Sequence, residues 1–369
     1  MARVTVPIDQ QAELFQISPE HVRISMSAAM ALGLKGGRTY REAACGCINL
    51  IQNYPEGCYA NCAYCGMARE RPGVPEENSF IRVAWPLYTT DEVVGRIVAK
   101  EAAGEVGRVC ISQVHDRRAY PDLLTILDQV RAAAPQVPVA ALVSAELLDE
   151  EKLREIKAHG ADTIGIGLDG ATEAIFDQTR GKGAHGPHTW EGHWRIARLA
   201  RDIFGPLKVN LHIIVGLGET DRDLVELFYQ LRDEQIAAYL FSFNPEPGTE
   251  LQHAPRAPLA RHRRVQLAKF LIEDRGLARG AVSFDESGAI TGIVAPADLV
   301  DAAIASGEPF MTDGCPDRHG AMTCNRPYGS YRPGEPFRDY PFVPNADDVA
   351  VIRAELGVAA ITEGEIAFG

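Results

Sequence analysis

The chain has 369 residues, 46% hydrophobic and 24% charged, which fits one large α/β domain with appendages or two ordinary domains. A net charge of −13 argues against general affinity for nucleic acid. No apolar run reaches the ~18 residues of a membrane helix, and the opening MARVTVPIDQQAELF has neither region of a signal peptide, so a cytoplasmic chain with no membrane partner is expected.

In chain order, residues 19–32 read as a helix capped by Ser18, within an N-terminal segment of residues 1–44. From residue 45 strands and helices alternate. Strands are expected at 46–52, 108–113, 137–143, 163–168, 208–215 and 237–243. Runs such as VPVAALV and VNLHIIV are nearly all apolar, as parallel strands covered on both faces should be. Helices are expected near 90–103, 121–133, 147–158, 190–203, 220–233 and 258–275. The first opens with Thr89 and Glu92 in capping-box spacing, with Val93, Val94, Ile97 and Val98 on one face. Such βα units in series over residues 45–280 predict a parallel barrel or a partial one, with its chemistry at the C-terminal ends of the strands. In residues 281–369, AVSFDESGAITGIV reads as a β-hairpin around Ser287 and Gly288. A helix near 296–305 follows, then a Pro/Gly-rich segment from Gly307 to Pro344 that is expected to cover the barrel mouth.

Cys58, Cys62 and Cys65 fall in NYPEGCYANCAYCGM, just after the first expected strand. Closed iron–sulfur sites use four cysteines, so a tight triplet can hold three irons of a cubane and leave the fourth open. A zinc knuckle would pair two Cys-x2-4-Cys units across a long spacer, which the triplet lacks. Eight cysteines in an unexported chain argue for metal ligation over disulfides.

This spacing, with the aromatic Tyr64 before the last cysteine, resembles the radical S-adenosylmethionine (radical SAM) superfamily. The resemblance implies an α/β fold, a partial (β/α)6 barrel of TIM type. It also implies a [4Fe-4S] cluster on Cys58, Cys62 and Cys65 whose open iron binds S-adenosylmethionine (SAM) and whose reduction cleaves it to a 5′-deoxyadenosyl radical. HIIVGLGETDRD, from His212 to Asp223, is similar to the VGLGET segment of biotin and lipoyl synthases, which lies beside the SAM adenine; this makes Gly216, Gly218 and Glu219 candidate contacts. FSFNPEPGTEL, with Asn244, resembles a strand-end segment that contacts SAM through its backbone. At the same mouth, Asp169 is placed to bind a ribose hydroxyl or amine and Arg180 to pair with the SAM carboxylate, with Ser144 and Glu146 nearby. The Gly-Gly-Glu turn that often binds the SAM amine is replaced by CISQVHD, where Gln113 is the nearest candidate and His115 reads as a satisfied polar histidine.

Cys110 lies inside an apolar strand and reads as a small buried hydrophobe. Cys45 and Cys47 near one end of the chain, with Cys315 and Cys324 near the other, are expected to hold a second, auxiliary [4Fe-4S] cluster. Which four atoms ligate stays open, because Cys45 and Cys47 are one residue apart and Ser330 is an alternative ligand. The text around both cysteine sets is most similar to the two-component lipoyl synthases. The resemblance implies sulfur insertion into octanoyl-lysine on a carrier protein, with a partner radical SAM synthase, an electron donor such as ferredoxin or flavodoxin, and the auxiliary cluster as sulfur source. Two rival readings stand: radical chemistry on a free small molecule, including biotin-type sulfur insertion, and a two-cluster electron-transfer protein. Arg256, Arg261, Arg263 and Arg264 form a solvated helix face or a docking patch for an acidic partner.

Overall fold

A computed structural model describes residues 16–73, 83–326, 334–361 and 364–368. Its main sheet contains β1 (His21–Ile24), β2 (Cys47–Gln52), β3 (Leu87–Thr89), β4 (Arg108–Ser112), β5 (Val139–Val143), β6 (Thr163–Asp169), β7 (Val209–Val215) and β8 (Ala237–Ser242). The spatial order is β3-β1-β2-β4-β5-β6-β7-β8. From β2 through β8 each neighbouring pair in that order is parallel. These strands alternate with α2 (Thr90–Glu101), α3 (Ala119–Ala133), α4 (Glu150–Ala158), α5 (Glu173–Thr179), α6 (Trp190–Phe204), α7 (Asp221–Asp233) and α8 (Leu259–Arg275), after α1 (Met26–Ala31). The result is the expected α/β architecture with a parallel sheet of βα units.

The strand alternation sorts side chains into two compartments. In β2, Ile48 and Leu50 belong to the main core, while Asn49 and Ile51 line an internal cavity. In β4, Val109 and Ile111 pack in the core, while Cys110 and Ser112 line the cavity. Gly165 and Gly167 of β6 extend the inner face. Helix starts are held by side-chain caps: Thr89 accepts from Glu92 N, and Thr220 and Asp223 form a reciprocal capping box on α7. Such caps typically contribute about 1 kcal/mol each.

The helix expected over 19–32 is a strand followed by a short helix. Residues 21–24 pair antiparallel with both β2 and β3, so Val22 and Ile24 are buried by the sheet and Arg23 by Asn53 and the Trp85 carbonyl. The free edge of β2 supplies backbone partners that a lone helix could not use. Ser25, not Ser18, caps the helix that follows; the Ser18 hydroxyl donates to the His21 carbonyl at 2.8 Å.

The C-terminal region holds the expected hairpin, β9 (Val282–Phe284) and β10 (Ile290–Val294), in an antiparallel sheet with β11 (Val358–Ile361) and β12 (Glu365–Phe368). Helices α9 (Ala297–Ser306) and α10 (Ala346–Leu356) complete it. Residues 313–326 do not cover the barrel mouth as expected; they close its opposite end, where the parallel strands begin. Thr323 lies against Gly46 and Gly107, immediately before β2 and β4, where a Cβ on either glycine would collide with its hydroxyl. The Arg108 guanidinium donates to the Pro316 carbonyl at 2.7 Å, and Asn325 donates to the Ala44 carbonyl. Asp313 accepts from Leu240 N at 2.8 Å, filling a backbone position on the free edge of β8. Among the described residues, no helix is long and apolar enough to cross a membrane.

Candidate active site

A cavity of about 250 Å³ runs through the sheet's concave side, with cysteines at both ends. Its lining extends along β6 from Gly165 to Asp169 and along β7 from Asn210 to Ile214. Four residue steps at ~3.3 Å each make this span roughly 13 Å.

At the mouth end Cys58, Cys62 and Cys65 line the cavity together, all on the loop that follows β2. The loop is pinned by its backbone: Tyr59 N donates to the His115 carbonyl, Ala63 N to Thr179 O and Cys65 N to Cys62 O. Two sulfurs accept amide hydrogens, Cys58 from His115 at 3.2 Å and Cys65 from Met67 at 3.4 Å. Burial pushes all three thiols up, Cys62 to about 11, so a bound cation is what would hold them as thiolates.

Beside them stand Tyr64, Asp169 and Arg180. Asp169 ends β6 with φ of 62°, in the left-handed region, where the register with β7 shifts. Its Oδ2 accepts from the Tyr64 hydroxyl and from Arg180 Nη1, the latter at 2.5 Å. Arg180 lines the cavity with the triplet, and its buried Nε has no hydrogen-bond partner among the described residues, so the guanidinium suits a carboxylate. These residues fit a three-cysteine cluster with SAM on its open iron.

The other predicted contacts divide. Ser144, Gln113 and Asn244 line the cavity. The Gln113 amide is spent at both ends, donating to Ala119 O and accepting from Ser144 N, and Asn244 donates to Ser242 O. Glu146 is outside the lining, holding His188 at 2.5 Å and Thr189 N at 2.9 Å. Gly216, Gly218 and Glu219 are also outside it. Both glycines have positive φ, which makes the sharp turn between β7 and α7. The Glu219 carboxylate folds back on that turn, accepting from Gly216 N at 2.7 Å and Leu217 N at 2.9 Å, and Arg261 pairs with it at 2.9 Å. The turn stands behind Phe243, which does line the cavity.

At the far end a second cysteine group forms, and its membership differs from the expected one. Cys47, Cys315 and Cys324 pack in one cluster with Cys110 beside them. Cys47 and Cys324 share a side-chain hydrogen bond that holds the Cys324 thiol down. Cys45 is separate: it belongs to the main core and its sulfur accepts from Ser27 Oγ at 3.1 Å. The reason is register. Cys47 begins β2 on the cavity side, whereas Cys45 precedes the strand and turns toward α1. Cys110 is not simply the small buried hydrophobe expected: in RVCIS, with Val109 and Ile111 in the core, the strand alternation turns it toward the cavity. Ser330 lies outside the described residues.

Polar groups surround this end that the sequence reading had not singled out. Asn210 Nδ2 approaches Cys315 Sγ at 3.8 Å, and Asn49 Oδ1 lies 3.8 Å from Cys324 Sγ and 3.9 Å from Cys47 Sγ. Arg326 lies 4.0 Å over the Phe241 ring, donates to the Asp313 carbonyl, and keeps a buried Nε without a partner. Arg108, fully buried, pairs with Asp162; burial pushes the Cys315 thiol up to about 11, and the Arg108 charge works against that rise. Four sulfurs flanked by two guanidiniums fit a second anionic iron–sulfur cluster, whose charge the arginines would offset.

Of the expected arginine patch Arg256 is exposed, whereas the other three turn inward. Arg261 binds Glu219 and Asp221, Arg263 is buried against Glu355 and two backbone carbonyls, and Arg264 donates to Leu356 O.

Residues 53–230, which contain the triplet, Asp169, Arg180 and the GLGET turn, match the sequence profile of the radical SAM superfamily. Residues 53–230 make up a radical SAM domain. It is similar to an uncharacterized protein of Methanocaldococcus jannaschii, 25% identical over 205 residues, covering 54% of this chain and 50% of that one. It is also similar to a biotin synthase of Anaeromyxobacter sp., 27% identical over 213 residues, covering 57% and 53%. The match thus spans about half the length of these curated relatives. Among solved structures, methylornithine synthase aligns over 67% of this chain and 66% of its own, at 13% identity and a TM-score of 0.46.

Proposed function

We propose that this radical SAM protein inserts sulfur into an unactivated C–H bond of an octanoyl-lysine carried on a protein. The observation that carries the reading is one cavity lined by three cysteines at one end and by Cys110, Cys315 and Cys324 at the other, with Cys47 packed behind them. When bound, the first cluster with SAM would supply a radical strong enough to take a hydrogen atom from carbon, and the second would supply sulfide. The chain's own residues set the distance between these two chemistries and keep water out. Ile51, Leu142, Ile214, Phe241 and Phe243 offer an apolar wall to an acyl chain between the two ends. Arg180, through its unspent Nε, would orient the SAM carboxylate, with Asp169 and Tyr64 fixing the guanidinium.

The choice of an octanoyl-lysine rests on the similarity of the sequence around both cysteine sets to two-component lipoyl synthases. That similarity also supports a carrier protein, a partner synthase and a ferredoxin- or flavodoxin-type reductant as partners. A second reading, sulfur insertion into a free small molecule, is favoured by the relative named biotin synthase. Mass spectrometry separates them. The reconstituted protein with SAM and reductant should add sulfur mass to an octanoylated carrier peptide. SAM cleavage stimulated only by a free small molecule, with the peptide untouched, would overturn the carrier-bound reading.

A further inference from the structure

We propose that His188, held by Glu146, is a binding residue for SAM, offering an unprotonated Nε2 as acceptor to one of that molecule's hydrogen-bond donors. The inference rests on the superfamily assignment and not on the sulfur-insertion reading.

Glu146 follows β5 but does not enter the cavity; its two oxygens are committed behind it. One accepts from Thr189 N at 2.9 Å and lies 3.1 Å from His193 Nδ1, while the other sits 2.5 Å from His188 Nδ1. Those hydrogen bonds hold the carboxylate in its charged form despite burial. An ionised carboxylate only accepts, so the proton of His188 is assigned to Nδ1 and the lone pair to Nε2. Burial and the nearby Arg180 charge push His188 down to about 3, so the ring stays neutral at ordinary pH.

The side chain is only 2% exposed, yet it lines the cavity that holds the cysteine triplet. No described residue hydrogen-bonds its Nε2. The ring packs edge-on against His115, centroids 5.3 Å apart, and the His115 amide donates to the Cys58 sulfur at 3.2 Å. An acceptor with its tautomer fixed by a buried carboxylate therefore sits one residue removed from the cluster ligands. SAM held on the open iron would present hydrogen-bond donors of three kinds, an ammonium, ribose hydroxyls and an adenine amine, and a neutral imidazole at the cavity wall suits a donor of this type. His115 is oriented in the same manner, its Nδ1 2.9 Å from Ser144 Oγ.

His115, Glu146 and His188 also lie close enough to suggest a divalent metal, with ligand atoms within 4.8 Å of one another. The carboxylate is already saturated by N–H groups, which leaves two imidazoles, fewer protein ligands than zinc sites generally use.

The test measures equilibrium binding of SAM, and of analogues lacking the 2′-hydroxyl, the 3′-hydroxyl, the α-amine or the adenine amine, to cluster-loaded protein. The electron paramagnetic resonance (EPR) spectrum of the reduced cluster serves as an independent readout. Wild-type protein should lose about tenfold in affinity for the analogue missing the donor that His188 accepts, ~1.4 kcal/mol. His188→Phe should bind SAM about tenfold more weakly and be indifferent to that same deletion. Glu146→Gln, which removes the tautomer constraint but preserves shape, should show a smaller loss of the same pattern, covering the case in which His188→Phe fails to fold. Equal sensitivity of wild type and both variants to every analogue would overturn the proposal. So would stoichiometric Zn²⁺ binding that the His188 variant abolishes while SAM affinity holds. A wild-type protein whose cluster EPR signal ignores SAM would instead count against SAM chemistry in this chain altogether.

Discussion

The two ends of the cavity are built in opposite ways. The mouth group comes from one loop of eight residues, Cys58 to Cys65, so chain connectivity keeps its cysteines together, with the Cys65 N to Cys62 O bond inside the loop and bonds to His115 and Thr179 anchoring it. The far group draws one cysteine from β2, one from β4 and two from a segment more than two hundred positions later. A contiguous site survives any change that leaves its loop intact. An assembled site depends on strand register, on Gly46 and Gly107 admitting Thr323, and on Arg108 reaching the Pro316 carbonyl. The mouth should therefore tolerate damage elsewhere in the fold, and the far end should not.

The largest expected effect tests the two ends as separate sites. Reconstituted wild-type protein should carry about 8 irons, and changing Cys58, Cys62 and Cys65 together to Ala should remove about half of them and all 5′-deoxyadenosine formation. A wild-type content near four irons would remove the far cluster from the picture.

Next in size is the contrast between Cys110 and Cys45. Cys110→Ala should lower iron content and stop sulfur transfer while sparing abortive SAM cleavage. Cys45→Ala should keep full iron and cost only about 1 kcal/mol of packing, measured by urea unfolding. The reverse result, with Cys45 needed for iron and Cys110 dispensable, would return the ligand set to the one read from the sequence.

The smallest effect concerns the turn behind the mouth. Arg261→Ala strips the buried Glu219 and Asp221 of their cation, and should cost about 3 kcal/mol in thermal or urea unfolding. Iron content should remain at the wild-type level, because the mouth loop does not use this arginine. Loss of iron without loss of stability would show that the two are linked after all.

The amino-acid sequence by itself determined the order of strands and helices, because apolar runs bounded by caps and turns are local signals and the parallel units repeat them. It also determined the mouth site, since the spacing of Cys58, Cys62 and Cys65 is a property of one loop. It placed Asp169 and Arg180 together through a single βα unit. Other outcomes needed the tertiary structure. The strand at residues 21–24 forms because β2 offers it an edge, which no local propensity records. Cys110 joins the far group and Cys45 leaves it because the strand's side-chain period of two decides which faces the cavity, and register is set by partners distant in sequence. Glu146, Glu219, Arg261, Arg263 and Arg264 turn inward for the same reason. Their charges are satisfied by groups 42 to 92 positions away or by a backbone turn, and only the folded chain brings those partners within reach.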